Sequence, residues 1–149
     1  MHIQIDQSGK IGDTKVPTVL AFSNDKSFSI LIPAGVKREC LYNLRQRGKS
    51  GTTLYLQLFA VALFLLLKGH VEKMSLITID LEYPGHSQAV KEHLLNLLRK
   101  AGFSVSADMI RFQRLGKRSP AHKRALATYR RDIEPDKIIT LEELLAQFK

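Results

Sequence analysis

Two carboxylates, Asp80 and Glu82, close an otherwise apolar, β-branched stretch at residues 75–83, and Pro84-Gly85 stops it immediately afterwards. An apolar run without turn residues reads as a strand buried in a sheet, and open α/β sheets gather their chemistry beyond the carboxyl ends of their strands. Asp80 and Glu82 therefore stand where a reaction is expected. Asp80 interrupts a buried strand, where an unpaired charge is costly; Glu82 shares its face only if the strand runs on past it. A third acid, Asp6, ends the alternating stretch Ile3-Gln4-Ile5-Asp6 ahead of Gln7-Ser8-Gly9. Its plainer role is to begin that turn.

A second kind of chemistry is suggested by charge. The chain carries 23 Lys+Arg against 14 Asp+Glu, a formal charge of +9 over 149 residues, which points to a polyanionic partner and to nucleic acid first. The distribution sharpens this. Residues 111–131 hold Arg111, Arg114, Lys117, Arg118, Lys123, Arg124, Arg130 and Arg131 with no acid among them. Lys10, Lys37, Arg38, Arg45, Arg47, Lys49, Arg114, Lys117, Arg118, His122 and Lys123 are the candidates for contact with RNA, DNA or a hybrid of the two.

Other suggestive letters carry less. Gly48-Lys49-Ser50 has the ending of a phosphate-binding loop, but no glycine lies five residues before Gly48 and no strand leads into it. His86 and His93 are seven apart, on roughly one helix face, and lack a third ligand. Cys40 is the single cysteine, so no intramolecular disulfide forms and a buried or idle thiol is the ordinary reading. Tyr42, Tyr55, Tyr83 and Tyr129 could stack on bases, although they form no aromatic run, and packing is the plainer role for each. One cysteine and a beginning without a basic flank or apolar core point to a cytoplasmic protein.

The elements that must position these groups follow from periodicity. Ile3 and Ile5 mark a first strand; residues 16–22 and 27–34 read as a second and third, joined by the turn at residues 23–26 into an antiparallel meander. Residues 36–44 form a short helix or an irregular segment. Residues 54–67 are apolar except for Gln57, too short to span a bilayer, which takes about 20 residues, and apolar all round as a buried helix is. No membrane partner is expected. Residues 86–101 repeat Val90, Leu94, Leu97, Leu98 and Ala101 at helical spacing, residues 108–112 form a further strand, and Ser119-Pro120 opens a basic helix over residues 121–131. Residues 133–149 read as a linker and a final helix whose capping box is Thr140 with Glu143. That helix packs on residues 1–132 or, alternatively, joins two copies as a homodimer.

The order of three strands, helix, strand, helix, strand, helix, with Asp6 ending the first strand and Asp80 the fourth, resembles the ribonuclease-H-like superfamily of ribonucleases H, resolvases and transposase cores. At residue level the resemblance rests on Ile3-Gln4-Ile5-Asp6-Gln7-Ser8-Gly9, Ile77-Thr78-Ile79-Asp80 and, more loosely, residues 118–127. It implies an α/β fold with a mixed five-stranded sheet, to which the C-terminal helix read from its capping box is an addition. It further implies that the first and fourth strands are neighbours, which would bring Asp6 beside Asp80. Adjacent carboxylates repel and are reconciled by a divalent cation, and oxygen ligands select Mg²⁺ or Mn²⁺ over zinc. Two such ions about 4 Å apart cut phosphodiesters by activating water and stabilising the leaving oxygen. On this reading Asp6, Asp80 and Glu82 are catalytic, with Asp6 and Asp80 holding metal.

The chain also departs from the family pattern. Its first long helix offers Gln57 where a glutamate is common, and residues 121–131 hold no acid, so that His122, Lys123 or Arg124 stands where another would be. Asp13, Asp108 and Asp132 are reserves. A metal-dependent nuclease is therefore expected, with a catalytically degenerate nucleic-acid-binding protein of the same fold as the alternative, and a protein-interaction subunit using the final helix as a third reading.

Overall fold

The computed structural model describes residues 1–24 and 26–148; Asp25, in the turn at residues 23–26, lies outside the described residues. Alternation builds the first strand, β1 (His2–Ser8), whose Ile3 and Ile5 are buried on one side while Gln4 and Asp6 project to the other. β2 (Thr18–Ser23) and β3 (Ser27–Ile32) complete an antiparallel meander. The chain continues through α1 (Ala34–Gln46), α2 (Gly51–Leu67), β4 (Leu76–Asp80), α3 (Ser87–Lys100), β5 (Ile110–Gln113), α4 (Pro120–Tyr129), β6 (Lys137–Ile138) and α5 (Leu141–Leu145). Residues 36–44 lie within α1, so the choice there between helix and irregular chain falls to helix.

These strands form one mixed sheet in the order β5-β4-β1-β2-β3-β6, with β4 parallel to both β1 and β5. The fold is α/β, but the sheet has six strands rather than five. The additional strand, β6, pairs Lys137 with Ile30 and Ile138 with Leu31, inside a stretch that reads as linker. Two residues show no period. Its position is held from outside: Asp136 Oδ2 accepts hydrogen bonds from the Ser29 amide at 2.8 Å and from Arg124 Nη2 at 3.3 Å.

Helices cover both faces. The apolar α2 is sandwiched between the sheet residues Ile5, Leu20, Phe22 and Ile79 and the α3 residues Leu94 and Leu98, which explains why it has no polar side. No helix of the described residues is long and apolar enough to cross a membrane. On the opposite face, Ala125 of α4 packs on Val19 and Ala21 of β2. Small residues there let α4 approach the sheet closely. Its entry is fixed by Ser119, whose Oγ accepts the His122 amide at 3.0 Å, with Pro120 in the first turn. The Thr140–Glu143 capping box forms at α5, which packs on α1 with Leu144 buried.

Two consequences bear on the carboxylates. Because β1 and β4 are parallel neighbours in the register Ile3–Ile77 and Ile5–Ile79, Asp6 and Asp80 are the next residues at one level and project to the same face, that of α4. Just beyond Asp6 the chain reverses through Gly9, whose φ is +80° and where a Cβ would overlap the Pro17 carbonyl oxygen. Only glycine allows that reversal.

Candidate metal centre

Three acids meet at the carboxyl ends of β1 and β4. Asp6, Asp80 and Glu82 each place one carboxylate oxygen so that all three lie within 4.8 Å of one another. Glu82 arrives by an unexpected route. β4 ends at Asp80, so strand alternation does not aim Glu82; the turn that follows, with Gly85 at φ +83° and the Leu81 amide on the Gln113 carbonyl at 3.2 Å, brings it back. Among the described residues Asp13, Asp108 and Asp132 are not part of this group.

Each central carboxylate is fixed by a neighbour. Asp6 is 4% exposed; its Oδ1 accepts the Gln7 amide at 2.8 Å and its Oδ2 lies 2.7 Å from His122 Nδ1. Asp80 Oδ1 accepts the Leu115 amide at 2.7 Å. That second bond pins the loop between β5 and α4, with its exposed Arg114, Lys117 and Arg118, beside the acids. Neither backbone donor is visible in a reading of side chains, and the Leu115 contact spans 35 positions of sequence.

The group is electrostatically crowded. Burial raises the Asp6 pKa above the ordinary carboxylate range, and the Asp80 charge adds to this, against the Gln7 and His122 hydrogen bonds. Glu82 is pushed up to about 8, first by burial and then by hydrogen bonding with Asp80 and the charges of Asp80 and Asp6, against the pull of Lys10. Without a cation, this crowding favours the protonated form of Glu82. The all-oxygen, closely spaced set fits a hard divalent cation, which would replace that proton.

This has a measurable consequence. In the window between the unfolded glutamate value near 4.5 and the folded value of about 8, the unfolded chain binds fewer protons than the folded one, so metal-free stability falls as pH rises. Melting temperature followed in EDTA from pH 5 to 8 should decline, and Glu82→Gln should flatten that part of the decline. An unchanged slope in the variant would place the titration elsewhere.

The basic candidates divide. Lys10, Arg38, Arg45, Arg47, Arg114, Lys117, Arg118 and Lys123 are exposed, and His122 is half-buried against Asp6. Arg38 donates to the Thr14 carbonyl at 2.7 Å and Arg45 to the Tyr55 hydroxyl at 2.8 Å. Lys49 lines a separate cavity with Gln57 and His93 on the outer side of α2 and α3, so Gln57 takes no place among the acids. Lys37 is a correction. It is fully buried, and its Nζ donates to the carbonyls of Lys10 at 3.1 Å and Asp13 at 2.6 Å and to Thr18 Oγ1 at 2.9 Å. Three donors meet three acceptors, which leaves nothing for a phosphate.

In comparisons with known proteins, no family model matches the chain, and neither a curated protein nor a solved structure matches it significantly.

Proposed function

We propose that this protein is a Mg²⁺- or Mn²⁺-dependent nuclease with a ribonuclease-H-like arrangement of its sheet. The observation that carries the reading is the convergence of Asp6, Asp80 and Glu82 within 4.8 Å at the ends of two adjacent parallel strands. The adjacency of β1 and β4 is what the family resemblance implies, and the short β6 and the acid-free α2 and α4 are this chain's own departures from it.

Asp6, Asp80 and Glu82 would hold the ion, which when bound supplies Lewis-acid stabilisation to a phosphodiester and lowers the pKa of water. The chain's own groups do the remaining work. With Asp6 ionised, as a metal ligand must be, His122 Nδ1 at 2.7 Å would donate to its Oδ2 and hold the carboxylate in a fixed direction from the half-open edge of the site. The loop pinned by Asp80 brings Arg114, Lys117 and Arg118 to the same end of the sheet, where they would grip the phosphates flanking the bond to be cut. With three acids and no fourth among the described residues, the set suits one ion more readily than two.

The test is cleavage of labelled single-stranded, duplex and RNA–DNA hybrid substrates in Mg²⁺ or Mn²⁺, comparing the wild type with Asp6→Asn and Asp80→Asn. No cleavage with either ion, together with retained binding, would select the degenerate binding protein instead. For the gripping loop, the Arg114→Ala/Lys117→Ala/Arg118→Ala variant should reduce the slope of log affinity against log salt by about 2–3, roughly one for each phosphate no longer neutralised. An unaltered slope would remove this loop from the interface.

A further inference from the structure

Beside the carboxylates lies a second concavity with a different lining. A cavity of about 410 Å³ between the loop after β1 and the first turns of α2 is walled by Tyr55 and Tyr83, backed by Leu56, and edged by Lys10, Gly12 and Asp13. Two links tie it to Glu82 of the metal centre. Tyr83 follows Glu82 in the chain, and Lys10 is close enough to Glu82 to favour its ionised form.

The two rings are held rather than loose. Arg45 Nη2 donates to the Tyr55 hydroxyl at 2.8 Å. Gly12 packs against the same ring, a Cβ built there standing at ordinary contact distance, 3.5 Å, from two of its carbons. Tyr83 packs edge-on against Phe59, with centroids 5.1 Å apart. Its hydroxyl is buried and approaches Gln7 and the Ile11 backbone without reaching hydrogen-bond geometry, and Gln7 Oε1, one residue from Asp6, is likewise unpartnered. The acid at the rim is turned inward to its own loop, Asp13 Oδ1 accepting the Lys15 amide at 3.1 Å.

A planar, largely apolar body satisfies this lining: aromatic side chains to stack on and a lysine at the mouth for an adjoining phosphate. A paired base within a duplex presents no free face, whereas an unstacked one does. We propose that this cavity receives an unpaired nucleobase of a DNA or RNA strand whose backbone runs past the carboxylates. It thus directs the protein to strands with a base out of the stack. The pocket takes its purpose from the nuclease reading, but its occupancy does not depend on metal.

Binding can therefore be measured in EDTA, where cleavage plays no part. DNA and RNA duplexes with 2-aminopurine either fully paired or opposite a one-nucleotide gap are titrated with the full chain, following fluorescence and affinity. The gapped probe is expected to be quenched and bound about 5- to 150-fold more tightly than the paired one, the range for one stacked base. Tyr55→Ala should abolish that preference and Tyr55→Phe retain it, with melting curves confirming that both variants fold. Retention of one sugar type alone identifies the strand. Equal affinity for paired and gapped probes, or an undiminished preference in folded Tyr55→Ala, overturns the pocket. Cleavage in Mg²⁺, measured separately, bears on the nuclease reading alone, so the two ideas fail independently.

Discussion

Asp80→Asn should lower Mg²⁺-supported cleavage by on the order of 10³-fold while raising the melting temperature of the metal-free protein by about 2–4 °C. The first effect follows, on the proposed metal site, from the loss of one anionic group among three whose oxygens lie within 4.8 Å. The second follows from relief of the same crowding: Asp80 raises the proton affinity of both Asp6 and Glu82, so a neutral amide at position 80 removes repulsion that the folded state otherwise bears. The substitution is informative because asparagine keeps an oxygen that can accept the Leu115 amide, now bound by Asp80 Oδ1 at 2.7 Å. The basic loop should therefore stay where it is, and nucleic-acid affinity in EDTA should change by less than about threefold. Opposite movements of activity and stability mark a functional cluster. A fall in both would mark Asp80 as a structural group, and cleavage equal to wild type would remove it from the reaction.

Asp6→Asn tests the neighbouring strand with a different secondary effect. The 2.7 Å bond from His122 Nδ1 persists to an amide oxygen but loses its charge, so His122 is less firmly oriented. Together the pair separates what the acids do as ligands from what they do as anchors.

How much of this was legible in the sequence depends on the range of the interactions involved. Ile3 and Ile5 alternate locally and β1 follows; residues 54–67 lack a polar face, and α2 is accordingly enclosed between the sheet and α3. Ser119-Pro120 and the Thr140–Glu143 box mark helix starts through bonds spanning three residues. Asp80 is visible as the interruption of an apolar strand and Asp6 as the end of an alternating one. What places Glu82 with them is a turn rather than a period, and what holds β6 is a bond between Ser29 and Asp136, 107 positions apart. His122 stands among phosphate-contacting candidates because its neighbours are basic, whereas its partner comes from β1, 116 positions away. Spacing along the chain carries no signal for such pairings.

Lys37 shows the same limit with the largest structural effect. Arg38 beside it is exposed, and nothing local distinguishes the two. The difference lies in the loop after β1, which curls so that the carbonyls of Lys10 and Asp13 and the hydroxyl of Thr18 converge on the Lys37 ammonium. Lys37→Met keeps much of the volume but strands these acceptors, and should cost about 3 kcal/mol, or a fall of roughly 6–12 °C in melting temperature for a chain of this size. The pH dependence identifies the cause. Burial brings Lys37 down to about 8 from 10.5, against the attraction of Asp13; between those values the unfolded chain binds more protons than the folded one, so stability attributable to this group rises with pH. Glu82 acts in the opposite direction below pH 8, and metal-free wild type should therefore be least stable near that pH. Lys37→Met should lose the recovery above it, and Glu82→Gln the decline below it. Because the same loop carries Lys10 and Gly12 at the edge of the tyrosine-lined cavity, Lys37→Met should also weaken the proposed preference for an unpaired base, while Asp6 and Asp80, held by the paired strands β1 and β4, should keep their places and with them the proposed metal affinity. If the variant loses metal affinity and base preference equally, the loop and the carboxylates form one cooperative unit, and the cavity cannot be tuned apart from the site it adjoins.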